Sequence, residues 1–354
     1  MGTNKRITWL DAAQGYGILL VIFAHVDYYS FLRGFIYTFH MPLFFFLSGY
    51  VFSRKDSFGK FLWAKVKRII IPYFCLGIPM ILFDVYWQNR NKFVRFPLDW
   101  VKGEFLSLLE QKRLWTLWYI ACLFFLNLLF YALVRWIKNE KILAIVVVLI
   151  TVAGLVYYRL GGQPFYWNID TCMTALPFFY VGYLCRKKEI MEKYVFSFSK
   201  KWILVIASAV VTLICLLINL AVTENHLEMY YGQYGVEPIT YLGAFSGILL
   251  IVLLSWKFDG KVIRYLGRNS MIYYAWHQTI VIPLVDEFYR KQGYFQQLKL
   301  STMQFFCKNV ISVVIICLVL TVVSILINHT FLRVAVGGPL RIKKKDGKHE
   351  ESKK

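Results

Sequence analysis

The sequence lacks the spacings that would reveal a metal site. Its seven cysteines, at 75, 122, 172, 185, 215, 307 and 317, include no Cys-X-X-Cys pair, so neither a metal nor a bound cofactor is expected. Most of them fall in apolar runs, where cysteine packs as a small hydrophobe. No small-residue cleavage site follows the first apolar run, which Asp11 opens; this run is therefore read as part of the mature chain rather than a removable signal peptide. A repeat of fixed period and a long linker are also missing, which leaves one membrane body over residues 1–333 and a separate tail over 334–354. Acidic residues are few, 20 against 41 Lys and Arg. No recognisable nucleic-acid-binding module accompanies the resulting net charge of +21, so that charge needs another explanation.

What is present is apolar surface. The chain of 354 residues is 58% hydrophobic and 18% aromatic, well above the share usual in a soluble domain. Runs near the length that a bilayer demands recur along it, at 9–26, 35–52, 69–86, 114–134, 142–158, 171–184, 202–222, 239–256, 271–285 and 310–331. The expected fold is an all-α polytopic bundle of about ten transmembrane helices. The sixth and ninth runs are short and borrow flanking residues. Short charged segments separate the runs, and with this division 29 of the 41 Lys and Arg fall on the side that holds both termini. Basic residues near span ends are retained in the cytoplasm, so both termini are expected there. Positive-inside retention thus accounts for most of the net charge. The tail RIKKKDGKHEESKK is expected to lie near anionic lipid headgroups.

Against this background the polar residues inside the runs carry the information, because an ionisable group in lipid is costly and marks a site or an internal pair. The first run contributes Asp11, Gln14 and His25, and the second His40, Ser48 and Gly49. Asp84 lies in the third run, and His277 and Gln278 in the ninth. At 1.5 Å per residue His25 lies about 24 Å along the helix from Trp9, toward the outer face. His40 opens the next span after a short loop and faces the same outer region. Each has a simpler reading: the histidines as hydrogen-bonding partners of neighbouring helices, His40 as an interfacial cap before Pro42, Ser48-Gly49 as a close-packing point. The loop 53–68 alternates Lys60, Lys65, Lys67 and Arg68 with Phe61, Leu62 and Trp63. It suits either a membrane surface or the phosphates and base of a nucleotide-like ligand.

In the order RITWLDAAQGYGILLVIFAH, FHMPLFFFLSGYVF, KVKRIIIPYF, LWYIACLFF and YLGRNSMIYYAWHQ, the chain resembles the acyltransferase-3 family of integral membrane O-acyltransferases over about residues 6–333. The nearest flavour is the fucose 4-O-acetylase-like group, which lacks an attached esterase-like domain. These are bacterial enzymes that typically O-acetylate cell-surface polysaccharides and glycolipids. The resemblance implies an essential histidine at His25, a donor-binding basic pair at Lys65 and Arg68, and the family's Ser-Gly at Ser48 and Gly49. It also implies a basic residue in the first span where this chain has Gln14.

The chemistry agrees with that implication. Acylating a sugar hydroxyl requires a base, and a neutral imidazole such as that of His25 suits the task. Ser48, Tyr50 and His277 are candidates for a covalent relay, and Asp11 and Gln14 for polar support in the first span. The expected activity is transfer of an acetyl group from acetyl-CoA, a substrate rather than a resident cofactor, to a glycan or glycolipid acceptor in the inner (plasma) membrane, with membrane lipid as the other partner. The alternative is a transporter or flippase for a glycan-related substrate; the sequence shows no paired broken helices or internal duplication in its favour.

Overall fold

The computed structural model describes residues 7–26, 31–54, 57–90, 98–293 and 301–338. Most of the tail, 339–354, lies outside the described residues. In chain order the helices are α1 (Thr8–Val26), α2 (Phe31–Tyr37), α3 (His40–Tyr50), α4 (Phe58–Lys65), α5 (Ile71–Asn89), α6 (Leu98–Glu110), α7 (Trp118–Trp136), α8 (Glu140–Arg159), α9 (Ile169–Lys187), α10 (Lys201–Thr223), α11 (Glu237–Lys257), α12 (Lys261–Arg268), α13 (Ser270–Trp276), α14 (Ile282–Gln292) and α15 (Thr302–His329). Among the described residues no strand forms; extended backbone pairs only at a single bridge between Glu228 and Gln233.

Local chemistry sets the helix boundaries. Asn139 starts α8 by accepting hydrogen bonds from the Lys141 and Ile142 amides. Ser301 and Gln304 form a reciprocal capping box at the start of α15. Pro72, Pro238 and Pro283 sit in the first turns of α5, α11 and α14, where the missing N–H costs nothing.

Among the described residues, eight helices or helix runs are long and apolar enough to cross a bilayer. The sixth and ninth expected spans are present as α9 and as the α13–α14 rod, and both are less apolar for a physical reason. α9 is enclosed by protein: Asp170, Thr171 and Thr174 along it are fully buried. The α13–α14 rod is interrupted by a π-helical turn, His277–Val281. Helices at the lipid boundary show the reverse pattern. On α10 the apolar Ile203, Ile206, Val210, Ile214 and Leu217 are exposed, while Ser208, Thr212, Cys215 and Asn219 are buried. Both sets recur at helical spacing, so this helix turns its polar stripe inward and its hydrocarbon outward.

Side-chain contacts sort the connections into two ends. At one end Tyr50 meets Glu192, Arg54 meets the end of α7 and Lys187 meets Glu140. Arg268 meets Asp11 and Asn328 meets Asn269 at this same end. At the other end Arg33 approaches Glu228, Arg90 approaches Glu287, Arg113 pairs with Asp170 and Arg159 with Glu237. Among the described residues these contacts sort the helices into ten passes between the two ends, and the basic loops gather at the first end.

Glycines let the central helices touch. A Cβ at Gly49 on α3 would strike the Phe179 carbonyl of α9, and one at Gly182 on α9 would strike the Phe46 carbonyl of α3. The Ser-Gly of the second span thus holds α3 against α9 backbone to backbone, as small residues do in membrane helix packing.

Candidate functional site

At the non-basic end a cavity of about 190 Å³ opens among α1, α2, α3, α7, α13 and the loop before α11. His25 and His40 line it, together with Arg33, Tyr37, Trp115 and Glu228. His25 lies in the last turn of α1. Its Nδ1–H donates to the Val21 carbonyl at 2.8 Å. A carbonyl only accepts, so Nδ1 carries a proton, and in the neutral ring the lone pair is left on Nε2. The His277 ring stands edge-on to that of His25, with centroids 4.8 Å apart. Its Nδ1–H is shared between the Tyr273 and Tyr274 carbonyls, each at 2.9 Å. His277 is fully buried and its Nε2 has no hydrogen-bond partner. The π-helical turn beginning at His277 places that ring there, and such turns occur frequently at functional sites.

His40 is buried too, its Nδ1–H donating to Ile36 at 3.1 Å. Its ring lies 4.6 Å from that of Tyr37, which in turn carries the Arg33 guanidinium 4.7 Å above its face. Opposite them the loop between α10 and α11 brings Glu228, 4.0 Å from Arg33, with His226 at 3.6 Å from the same carboxylate. Burial raises the Glu228 carboxyl above its ordinary range, and Arg33 offsets part of the shift. Burial lowers His226, helped by repulsion from Arg33. Aromatic walls with one cation and one carboxylate suit a polar ring bearing several hydroxyls, which packs by its face and is oriented by its edges.

This outer wall is clamped from behind. Arg113 donates to Asp170 and to the Asn168 side chain, each at 2.5 Å, to the Tyr158 hydroxyl at 2.6 Å and to the Tyr230 carbonyl at 2.6 Å. Tyr230 returns a bond to the Arg113 carbonyl and lines the cavity. Gln111, Arg113 and Trp115 all take left-handed backbone conformations, with φ between 41° and 58°. Such strain persists only where the surroundings enforce it, as Arg113 does here.

A second cavity, about 140 Å³, lies toward the basic end and is lined by Gln14, Ser48, Ile69, Tyr119, Ser270 and Tyr274, among others. Tyr274 borders both cavities, and its ring lies 5.4 Å from that of Tyr119. Ile69 belongs to a second π-helical turn, Val66–Ile70, which also holds Arg68; Lys65 precedes it, with Nζ 5.2 Å above the Phe61 ring. Within the loop 53–68, residues Phe58–Lys65 form α4, anchored where Phe61 is drawn into the core against Phe52 and Tyr131.

The structure brings His25, His40 and Gln278 to one cavity, with His277 buried behind His25, and Gln14 and Ser48 to the other. Ser48 contacts the Tyr119 hydroxyl at 3.5 Å. Tyr50 is placed elsewhere: its hydroxyl donates to Glu192 at the basic end. Asp11 pairs with Arg268 at 2.9 Å, joining α1 to α12, where Gly267 lets the two backbones meet. Sequence reasoning passed over Arg33, Glu228, Trp115 and the Arg113–Asp170 clamp. The signal for the clamp was available in Asp170, a carboxylate bordering an apolar run; its partner 57 residues away was not.

Residues 7–329 match the family described as acyltransferase domain. The nodulation protein NolL of Mesorhizobium japonicum is 24% identical over 380 residues, covering 96% of this chain and 92% of that protein. An all-helical membrane bundle with this match over nearly its whole length is a membrane acyltransferase, and the chain belongs to the acyltransferase-3 family.

Proposed function

We propose that the protein transfers an acetyl group from cytoplasmic acetyl-CoA to a hydroxyl of a cell-surface polysaccharide or glycolipid sugar in the inner (plasma) membrane, with His25 as general base. The observation that carries this reading is His25 with its Nδ1–H committed to Val21, so that Nε2 is the nitrogen free to act as base, beside a small cavity walled by aromatics and by Arg33 and Glu228. The acceptor hydroxyl gives its proton to Nε2 as its oxygen attacks the thioester carbonyl carbon. The C–S bond then breaks, and the departing sulfur takes the proton from the imidazolium to leave as the free thiol. Between the two steps, until the sulfur takes the proton, the imidazolium's Nε2–H, the one N–H not committed to Val21, is stabilised by the unpartnered Nε2 of His277, whose ring centroid lies 4.8 Å away.

The donor enters from the basic end. Lys65 and Arg68 attract its phosphates, and its extended arm runs through the second cavity past Gln14 and Ser48 to Tyr274. Gln14 and His25 are eleven residues apart on α1, about 17 Å along the helix, so an extended arm rather than a compact group bridges the two. In this reading Ser48 lines the donor path and carries no acyl group, and Gln14 serves it as a neutral hydrogen-bonding group.

The test is transfer of label from radiolabelled acetyl-CoA to the glycan and glycolipid fractions of membranes that contain the protein. Incorporation above membranes lacking it is expected. Lys65→Ala with Arg68→Ala should raise the KM for acetyl-CoA about tenfold or more while kcat changes little, since charge-assisted phosphate contacts supply binding. No incorporation with the native acceptors present, or a double variant with unchanged KM, would contradict the assignment.

A further inference from the structure

A third cavity does not belong to the transfer site. About 430 Å³ in volume, it lies between the start of α10 and the end of α11 at the basic end. Each α10 residue advances 1.5 Å, so this groove and the loop that lines the histidine cavity are roughly 34 Å apart along that helix. Val205, Leu253 and Leu254 form an apolar floor, and Lys200, Lys201 and Lys257 form the rim.

Two tryptophans stand between rim and floor. Trp256 stacks on Phe196 at 5.3 Å and carries the Lys201 ammonium 4.9 Å above its face; Trp202 is 54% exposed. Among the described residues none of the three lysines is ion-paired, and no acidic side chain lines the groove. The groove opens on the side where α10 exposes Ile203 and Ile206, its lipid-facing stripe.

From this we infer that the groove binds one anionic glycerophospholipid, with an acyl chain on the Val205, Leu253 and Leu254 floor and the phosphate among the three lysines. The tryptophans mark the headgroup depth, where amphipathic rings settle. A zwitterionic lipid would bring its ammonium against three uncompensated cations, so the rim selects for net negative charge. An ordinary interfacial lysine belt supplies the charge without the crevice; here both occupy the same place.

Native mass spectrometry of the full chain, released from nanodiscs containing equal phosphatidylglycerol and phosphatidylcholine, tests this. Wild type should retain one phosphatidylglycerol with a preference on the order of tenfold or more, given the attraction expected of each lysine near the surface. The Lys200→Gln, Lys201→Gln, Lys257→Gln variant should lose the preference, and the matching Lys→Arg variant, which keeps the charge, should retain it. Equal retention of the two lipids by wild type, or an unchanged preference in the Gln variant, would overturn the site. Excess acetyl-CoA should leave the retained phosphatidylglycerol in place. Its displacement would overturn the lipid assignment and identify the groove as a donor site instead. Because the readout is lipid retention, a failure of the acetyl-transfer reading leaves this test intact.

Discussion

His25→Ala should lower the rate of acyl transfer by roughly 10²- to 10⁴-fold, the contribution of a positioned general base, while donor affinity stays within about twofold of wild type. In the proposed reading the two readouts separate because His25 lines the first cavity, whereas the donor's charged groups bind at the basic end, past Tyr274, which borders both cavities. His277→Gln should be milder, roughly 10- to 100-fold, the range for one hydrogen bond to a charged group. Its effect should shrink markedly in the His25→Ala background, since in the proposed reading His277 acts only through the imidazolium that His25 forms. Steady-state kinetics on the two single variants and the double variant check this. Additive losses would show that the two histidines act separately.

Asp170→Ala should cost about 3–5 kcal/mol of stability, the usual consequence of removing one partner of a buried ion pair. The side chains of Arg113 and Asp170 are 8% and 0% exposed, so the deletion strands a guanidinium that water reaches poorly. Asp170 also accepts from the Tyr158 hydroxyl at 2.5 Å and from the Phe165 amide at 3.2 Å, and these donors lose a partner as well. Arg113 in turn holds Tyr230 on the cavity wall, so activity should fall at temperatures where the variant is still folded. Thermal unfolding in detergent reads the first effect and KM for the acceptor the second. A paired Arg113→Met, Asp170→Leu variant should recover part of the stability without recovering the cavity wall. If Asp170→Ala unfolds with the wild-type protein, the clamp is not what holds this end together.

These outcomes bear on how much of the molecule its sequence discloses. The lipid-facing helices were legible because hydrocarbon imposes long runs with few charges, and α10 and α15 obey that rule throughout. α9 and the α13–α14 rod were legible only as short runs. Their solvent is protein, so buried Asp170 and His277 interrupt the apolar pattern that marks a span. His25 stood out for the same reason in reverse, as a histidine near the end of a run otherwise suited to lipid. What joins it to His277 was not legible, because the π-helical turn that delivers the second ring has no sequence signature of its own. Nor were Arg33, Trp115 and Glu228, which come to one cavity from three separate stretches of chain. Gly49 announced close packing but not its partner, Phe179 on α9.

The reading of two cavities in series implies that donor and acceptor occupy opposite ends of the bundle, and sidedness tests it most directly. With the protein reconstituted in one orientation in sealed vesicles, labelled acetyl-CoA supplied only at the face bearing Lys65 and Arg68 should yield acetylated acceptor at the face bearing His25 and Glu228. Product confined to the donor's own face, or passage of the acceptor across the membrane without acetylation, would contradict it.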